Sequence, residues 1–335
     1  MDKKDIIVIG GSAGSHMPLR QIIGALPSDL QASVFISTHM PTNSSGYLPD
    51  VLEMNSRLRI VPAVDGQPIE QGCVYVAVPD HHLLVIDGTV RLGNGPRENM
   101  ARPAIDPLFR SAAVSYGPRV VGVILSGMLN DGASGLSAVK ACGGTAVVQH
   151  PLDANTDSMP LSALEVVDPD HVTAASDLGA LLASIVGEDA GEALHCPKSL
   201  DLEVEIASGG RLGSERLRTF ADPSPLSCPD CQGVLSEVRG EQPLRYRCQT
   251  GHATTAKVAD ARAEQVDQAL RVALRVMEER VTLVTRMAED ARSTGRSTVA
   301  ELYESRAEEY TRYATVLREA AVASLRDNKP IPEGG

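Results

Sequence analysis

Short unbroken runs of β-branched residues alternate with helix-forming stretches over residues 1–187, and this alternation confines the region to an α/β architecture. Strand candidates are residues 6–9, 34–37, 58–61, 74–78, 83–86, 120–125 and 145–148. Helix candidates are 18–26, 46–54, 107–116, 133–141, 161–167 and 178–186. A strand that is apolar at successive positions is buried on both faces, so the pattern predicts a doubly wound, mainly parallel sheet. Asp87-Gly88 between two apolar runs predicts an antiparallel hairpin inserted within residues 74–92.

The first strand ends in Gly10-Gly11-Ser12-Ala13-Gly14. In open α/β sheets ligands bind beyond the carboxyl ends of the strands, which is where this turn falls. The spacing Gly10-x-Ser12-x-Gly14 is that of a turn exposing a nucleophilic serine. Small residues after a first strand also open mononucleotide sites. The dinucleotide fingerprint would need glycine at 12 and 15, where the chain has Ser12 and Ser15, and the phosphate-loop lysine is absent.

A nucleophilic serine needs a base, and the base needs an orienting carboxylate. The second strand runs out at Thr38-His39-Met40-Pro41, and residues 120–125 run out at Ser126-Gly127-Met128-Leu129-Asn130-Asp131-Gly132. Another strand ends at His150, with Asp153 beyond it. The rim therefore offers Ser12, then His39 or His150, then Asp131 or Asp153. His81 and His82, after Pro79-Asp80, read as surface residues of the hairpin approach.

A net charge of -12 speaks against a general nucleic-acid binder, and the absence of Trp with only three Phe removes stacking platforms for single strands. No apolar stretch approaches the roughly 20 residues that span a bilayer, so no membrane insertion is expected. The charged start, Met1 to Asp5, leads straight into a strand and predicts no secretory leader. The six Cys do not space as a disulfide framework, which suits a reducing cytoplasm.

Composition changes after Gly187. Residues 188–225 are rich in Gly, Ser, Asp, Glu and Pro and read as a largely irregular linker. Within 226–254, Cys228, Cys231, Cys248 and His252 have the spacing C-x₂-C-x₁₆-C-x₃-H. Two such knuckles complete a tetrahedron, and 233–238 with 244–247 supply two strands of a zinc ribbon. Four protein ligands leave no open position, so the zinc would be structural; Cys196 beside His195 is a spare ligand pair. From 255 to 327 the chain is helical, with Val266, Leu270, Ala273, Met277, Val281 and Val284 at spacings of three and four. After Ser293-Thr294-Gly295, Leu302, Tyr310, Tyr313, Leu317 and Leu325 continue the stripe, predicting a helical hairpin suited to homodimerisation.

Four motifs in order resemble one family: Gly10 to Gly14; His39-Met40-Pro41; Arg102-Pro103-Ala104-Ile105-Asp106-Pro107-Leu108-Phe109; and Leu125 to Ala133. They look like the protein-glutamate methylesterase domain of bacterial chemotaxis, over roughly residues 5–187. The resemblance implies Ser12 as nucleophile, His39 as general base and acid, and Asp131 as the carboxylate orienting His39. It also implies the backbone N–H of Met128 in the oxyanion hole, and no catalytic cofactor. The implied substrate is a methylated chemoreceptor or another methylated protein, with glutamine deamidation a related activity. The receiver domain that usually gates this domain is not seen among the motifs, so phosphorylation control in cis is not expected and a response regulator acting in trans is a candidate partner. Ala13, Ser15 and His16 depart from the family's usual small-residue run beside the serine. The competing reading is a regulatory scaffold that keeps the fold and binds partners through its Cys/His module and helices.

Overall fold

The computed structural model describes residues 2–44, 46–240, 242–260 and 263–327, the side chains of 263–268 and 323–327 excepted. Residues Met1–Ala259 form one compact unit, and a second begins at Asp260.

In the first unit, β1 (Ile6–Gly11), α1 (His16–Ala25), β2 (Ser33–Thr38), α2 (Leu48–Glu53), β3 (Arg59–Pro62) and β4 (Cys73–Val76) come first. The hairpin β5 (His82–Ile86) and β6 (Thr89–Gly93) follows, then α3 (Ile105–Tyr116), β7 (Val120–Ile124), α4 (Ala133–Ala141) and β8 (Thr145–Gln149). After these come α5 (Ser158–Val166), β9 (His171–Thr173) and α6 (Ala175–Ile185). Seven parallel strands form one sheet in the order β3-β4-β2-β1-β7-β8-β9. β4 belongs to this sheet, so the antiparallel insertion is narrower than residues 74–92. It turns through Asp87 and Gly88, both with positive φ.

Alternation along β1 builds two cores. Ile7 and Ile9 pack with Leu19, Ile22 and Leu182 on one face; Ile6 and Val8 pack with Ile105, Leu108 and Phe109 on the other. The chain leaves β1 toward β2 and later returns to pair β7 with its opposite edge. That reversal puts the ends of β1, β2 and β7 side by side, at the crevice where doubly wound sheets bind ligands.

Residues 188–225, expected to be largely irregular, contain α7 (Lys198–Ala207) and α8 (Gly213–Arg218) and the start of β10 (Ala221–Ser227). β11 (Val234–Val238), β12 (Arg245–Cys248) and β13 (Ala253–Thr255) follow, and these last four strands make an antiparallel sheet. A short helix, α9 (Ala256–Asp260), comes next. Cys142 and Cys196 are joined as a disulfide with Cα atoms 4.8 Å apart, which corrects the expectation of unpaired cysteines. The partners lie 54 residues apart, a pairing that local spacing does not reveal. The same bond removes Cys196 from the metal-ligand candidates.

The second unit is the expected hairpin, α10 (Ala263–Ser293) and α11 (Ser297–Asp327), turning at Gly295 with positive φ. Leu270, Met277, Val281, Val284, Tyr310 and Leu317 are half-buried, whereas Ala273, Leu302 and Tyr313 are exposed. The side chains of Val266 and Leu325 lie outside the described residues.

Candidate active site and Cys/His module

Gly11 of β1 pairs with Thr38 of β2, so the next residues on these neighbouring strands are Ser12 and His39. On the other edge Ser12 N–H donates to Ser126 O at 2.9 Å, just beyond β7. Ser126 Oγ donates to Ala13 O at 2.8 Å and accepts from Thr156 N–H at 2.9 Å, tying the serine turn to the loop after β8. His39 Nε2 lies 2.6 Å from Asp131 Oδ2. The imidazole is partly exposed and Asp131 is buried, its side chain 1% accessible. Ser12 is half-buried beside Gly127, whose added Cβ would stand 3.1 Å from the Ser12 Cβ. Among the described residues no hydrogen bond joins Ser12 Oγ to His39; what places them together is strand register. Met128 is exposed, and its N–H makes no hydrogen bond among the described residues.

Asp131 is held from several directions. Oδ2 also accepts from Ile105 N–H at 2.7 Å, and Oδ1 accepts from Asn99 Nδ2 at 3.0 Å and Gly132 N–H at 3.1 Å. Burial alone would raise its pKa. The hydrogen bond and charge of His39, with those from Ile105 and Asn99, outweigh burial and hold it well below the ordinary carboxylate range. Asp106, equally buried, goes the other way. Burial, then the charge of Asp131, push it up to about 7. The two neighbouring carboxylates are thereby separated, with the ionised one facing the histidine.

Gly10 is what lets α3 begin so close to this rim. A Cβ there would fall 2.3 Å from Ile105 Cγ2, and Ile105 is fully buried. Gly10→Ala is therefore expected to push back the residue whose N–H holds Asp131. It should cost about 1–3 kcal/mol, measurable as a lower midpoint of thermal unfolding.

The other rim candidates are used structurally. His150 Nδ1 accepts from Leu152 N–H, and Asp153 Oδ2 accepts from Gln149 Nε2 and Ala175 N–H. His82, expected at the surface, is fully buried. Its Nε2 is 2.9 Å from Pro96 O, and burial lowers its pKa. Asn99 and Asp106 escaped sequence reasoning; the available signal was the pair of polar residues flanking Arg102-Pro103. A cleft of about 530 Å³ opens beside His39, lined also by Pro41, Arg97, Asn99, Met100 and Arg102.

Farther along the first unit, the side-chain ligand atoms of Cys228, Cys231, Cys248 and His252 all lie within 4.8 Å of one another. Cys231 Sγ is 3.7 Å from Cys248 Sγ, and Cys248 Sγ is 3.5 Å from His252 Nδ1. A tetrahedral zinc with metal–sulfur bonds of about 2.3 Å has sulfur–sulfur edges of about 3.8 Å, so the donor set fits that ion.

The module is anchored by buried charge. Glu98 takes Arg110 on one oxygen and Arg247, at 3.0 Å, on the other. Glu203 of α7 meets Arg110 at 3.2 Å, Arg245 at 2.8 Å and Arg247 at 3.1 Å. All five side chains are 2% accessible or less. Burial opposes ionisation, and the arginines outweigh it to hold the Glu98 and Glu203 carboxyls below their ordinary range.

The CheB methylesterase family model matches residues 7–182. A Leptospira interrogans protein provisionally named a protein-glutamate methylesterase/protein-glutamine glutaminase is 39% identical over 178 residues, 53% of this chain and 92% of that one. A Methanosarcina mazei protein-glutamate methylesterase/protein-glutamine glutaminase is 34% identical over 165 residues, 47% of this chain and 45% of its own. The crystal structure of the Thermotoga maritima CheB methylesterase catalytic domain superposes with a TM-score of 0.52 at 33% identity. It covers 54% of this chain and 98% of that domain. With the doubly wound sheet and the rim of Ser12, His39 and Asp131 set beside these matches, the chain belongs to the CheB methylesterase family.

Proposed function

We propose that the first unit is a serine hydrolase that demethylates glutamyl methyl esters on chemoreceptors or other methylated proteins, and that deamidates glutamine side chains by the same route. The observation that carries this is the 2.6 Å pair of His39 and Asp131 set one strand away from Ser12. With Nε2 bound to Asp131, Nδ1 is the ring nitrogen left to accept the serine proton. Ser12 Oγ attacks the side-chain carbonyl as His39 takes that proton, and the ionised Asp131 stabilises the imidazolium. The oxyanion is met by the Met128 N–H, a donor of a kind worth about 3 kcal/mol in the transition state. His39 then protonates the departing methanol, and water activated by the same imidazole hydrolyses the acyl-enzyme. Arg97 on the cleft suits a substrate segment carrying carboxylates, while Arg102 beside it is already paired with Asp80. We place the reaction in the cytoplasm, where Cys228, Cys231 and Cys248 stay reduced and available as metal ligands.

Methanol release from a protein carrying glutamyl methyl esters, run beside labelling by a fluorophosphonate probe, tests the reading. Release together with a label on Ser12 is expected. A folded chain that neither releases methanol nor takes the label would instead favour the scaffold.

To Cys228, Cys231, Cys248 and His252 we assign one structural zinc, supported by the tetrahedral edge lengths. Elemental analysis of the purified chain is expected to find about one zinc per molecule. A content near zero removes the assignment.

A further inference from the structure

Between the Cys/His module and Asp131 stands a single side chain. β13 starts one residue after His252 and lies along residues 97–99. Asn99 N–H donates to Ala253 O at 2.9 Å, and Ala253 N–H to Arg97 O at 3.3 Å. Thr255 N–H then donates to Asn99 Oδ1 at 3.1 Å. On its other side the same amide donates through Nδ2 to Asp131 Oδ1 at 3.0 Å and Asp106 Oδ2 at 3.2 Å. An amide has distinct ends. Reversed, it would set its oxygen against two carboxylate oxygens and its NH₂ against the Thr255 N–H. The donor from β13 therefore decides which end faces Asp131.

Further contacts bear on the same loops. Thr255 Oγ1 donates to Asn130 Oδ1 at 2.7 Å, on the residue preceding Asp131. Lys257 Nζ donates to Ser162 Oγ at 2.8 Å, and Ser162 Oγ donates to Leu129 O beside Met128. Asn99 and Met100 have φ of 49° and 65°, left-handed values that persist in non-glycine residues only where the surroundings impose them.

β13 is held in register by its antiparallel ladder to β12, with Arg245, Tyr246 and Arg247 opposite Thr255, Thr254 and Ala253, and by the knuckle that turns between the two strands. Cys248 N–H donates to His252 O at 3.0 Å, and Gly251 N–H to Cys248 O at 2.9 Å. Among the described residues the buried apolar cluster there is Cys228, Leu235, Tyr246 and Cys248, with Ala256 packed against it, and two of the four are themselves ligands. The buried charges of Arg245 and Arg247 anchor β12, and at the ligand end, where the core is this small, a staple is what orders the turn into β13.

We propose that the Cys/His module is a positioning element for the hydrolytic site: closing its four ligands around zinc fixes β13, β13 fixes the Asn99 amide, and the amide fixes Asp131 against His39. Asn99 and Thr255 are positioning residues that touch no substrate. The family match ends at residue 182, so this coupling comes from outside the matched region. It deepens the hydrolase reading and rests on it for its kinetic readout alone.

The experiment compares the full chain loaded with Zn²⁺, the same chain stripped by a chelator, and Zn²⁺-loaded Asn99→Gly, which accepts the left-handed backbone without the amide. Two readouts are taken. One is kcat and KM for methanol release. The other is the downfield proton NMR signal of the proton between His39 and Asp131, identified by its loss in His39→Gln. Stripping is expected to lower kcat on the order of 10- to 100-fold with KM within twofold, and to shift or broaden the proton signal. Returning Zn²⁺ restores both. Asn99→Gly reproduces the stripped values with zinc present, whereas Thr255→Ser, which keeps both hydrogen bonds, behaves as the parent. Unchanged kcat and an unchanged signal in the stripped chain and in Asn99→Gly overturn the proposal and leave the hydrolase standing. A signal that moves in a chain releasing no methanol upholds the positioning and sinks the hydrolase.

Discussion

Ser12→Ala is expected to remove methanol release by about 10⁴-fold or more while leaving the fold intact. In the proposed mechanism the chemistry passes through one oxygen, and removing any member of a nucleophile–base–carboxylate set leaves only binding and oxyanion stabilisation. The fold should not notice. Ser12 Oγ holds no hydrogen bond among the described residues, and the backbone bond from its N–H to Ser126 O survives the substitution. Unfolding midpoints of the two proteins should agree within what a neutral surface change gives, about 0.5 kcal/mol. Substantial methanol release by the alanine variant would take Ser12 out of the mechanism.

Glu203→Ala is the corresponding large effect on stability. Glu203 is fully buried and serves Arg110, Arg245 and Arg247 together, so its loss takes one carboxylate from three buried guanidinium groups. Breaking a buried ion pair from one side costs about 3–5 kcal/mol, because the stranded charge cannot return to water. In a unit this large that lowers the thermal midpoint by roughly 10 °C. Glu205 lies two residues further along α7 and makes paired contacts to Arg216, yet both side chains are largely exposed. Glu205→Ala should leave the midpoint nearly unmoved, since water screens that pair and replaces it. Acid provides a second route to the same state. The folded carboxyls of Glu98 and Glu203 lie below their unfolded value of about 4.5, so their stabilisation is complete above that pH. It drains away as pH falls through the folded values, and circular dichroism in an acid titration would record it. Equal losses in Glu203→Ala and Glu205→Ala would contradict the view that burial sets the difference.

The parallel sheet could be read from the chain because its strands are buried on both faces, and continuous Ile and Val runs leave little other choice. Ser12, His39 and Asp131 were legible for a related reason: each directly follows or lies near the end of such a run, and strand ends converge on one rim. His82 was misread because a histidine after Pro79-Asp80 has the local grammar of a surface turn. Its burial is decided by Pro96 O, which no neighbouring residue announces. Segment 188–225 looked solvated for a comparable reason. Its charge content reads as exposed until partners are found at sequence separations of 42 and, for the linked Arg247–Glu98 pair, 149. Asn99 is a lone amide in an aperiodic loop, and two of its three side-chain partners, Asp131 and Thr255, come from distant parts of the chain. Periodicity reports which face a residue occupies; it carries no information on which distant group will meet it.

The strand that leads into Ser12 leaves a ribosome before most of its partners, yet it sits at the centre of its sheet. Its second edge stays open until Val120–Ile124 has emerged, and the loop of Asn99 lacks β13 until Ala253–Thr255 has followed. Under the proposed mechanism a nascent chain displays its serine before it can aim a carboxylate, so hydrolysis stays silent until β13 has emerged and the arrival of that one strand arms it.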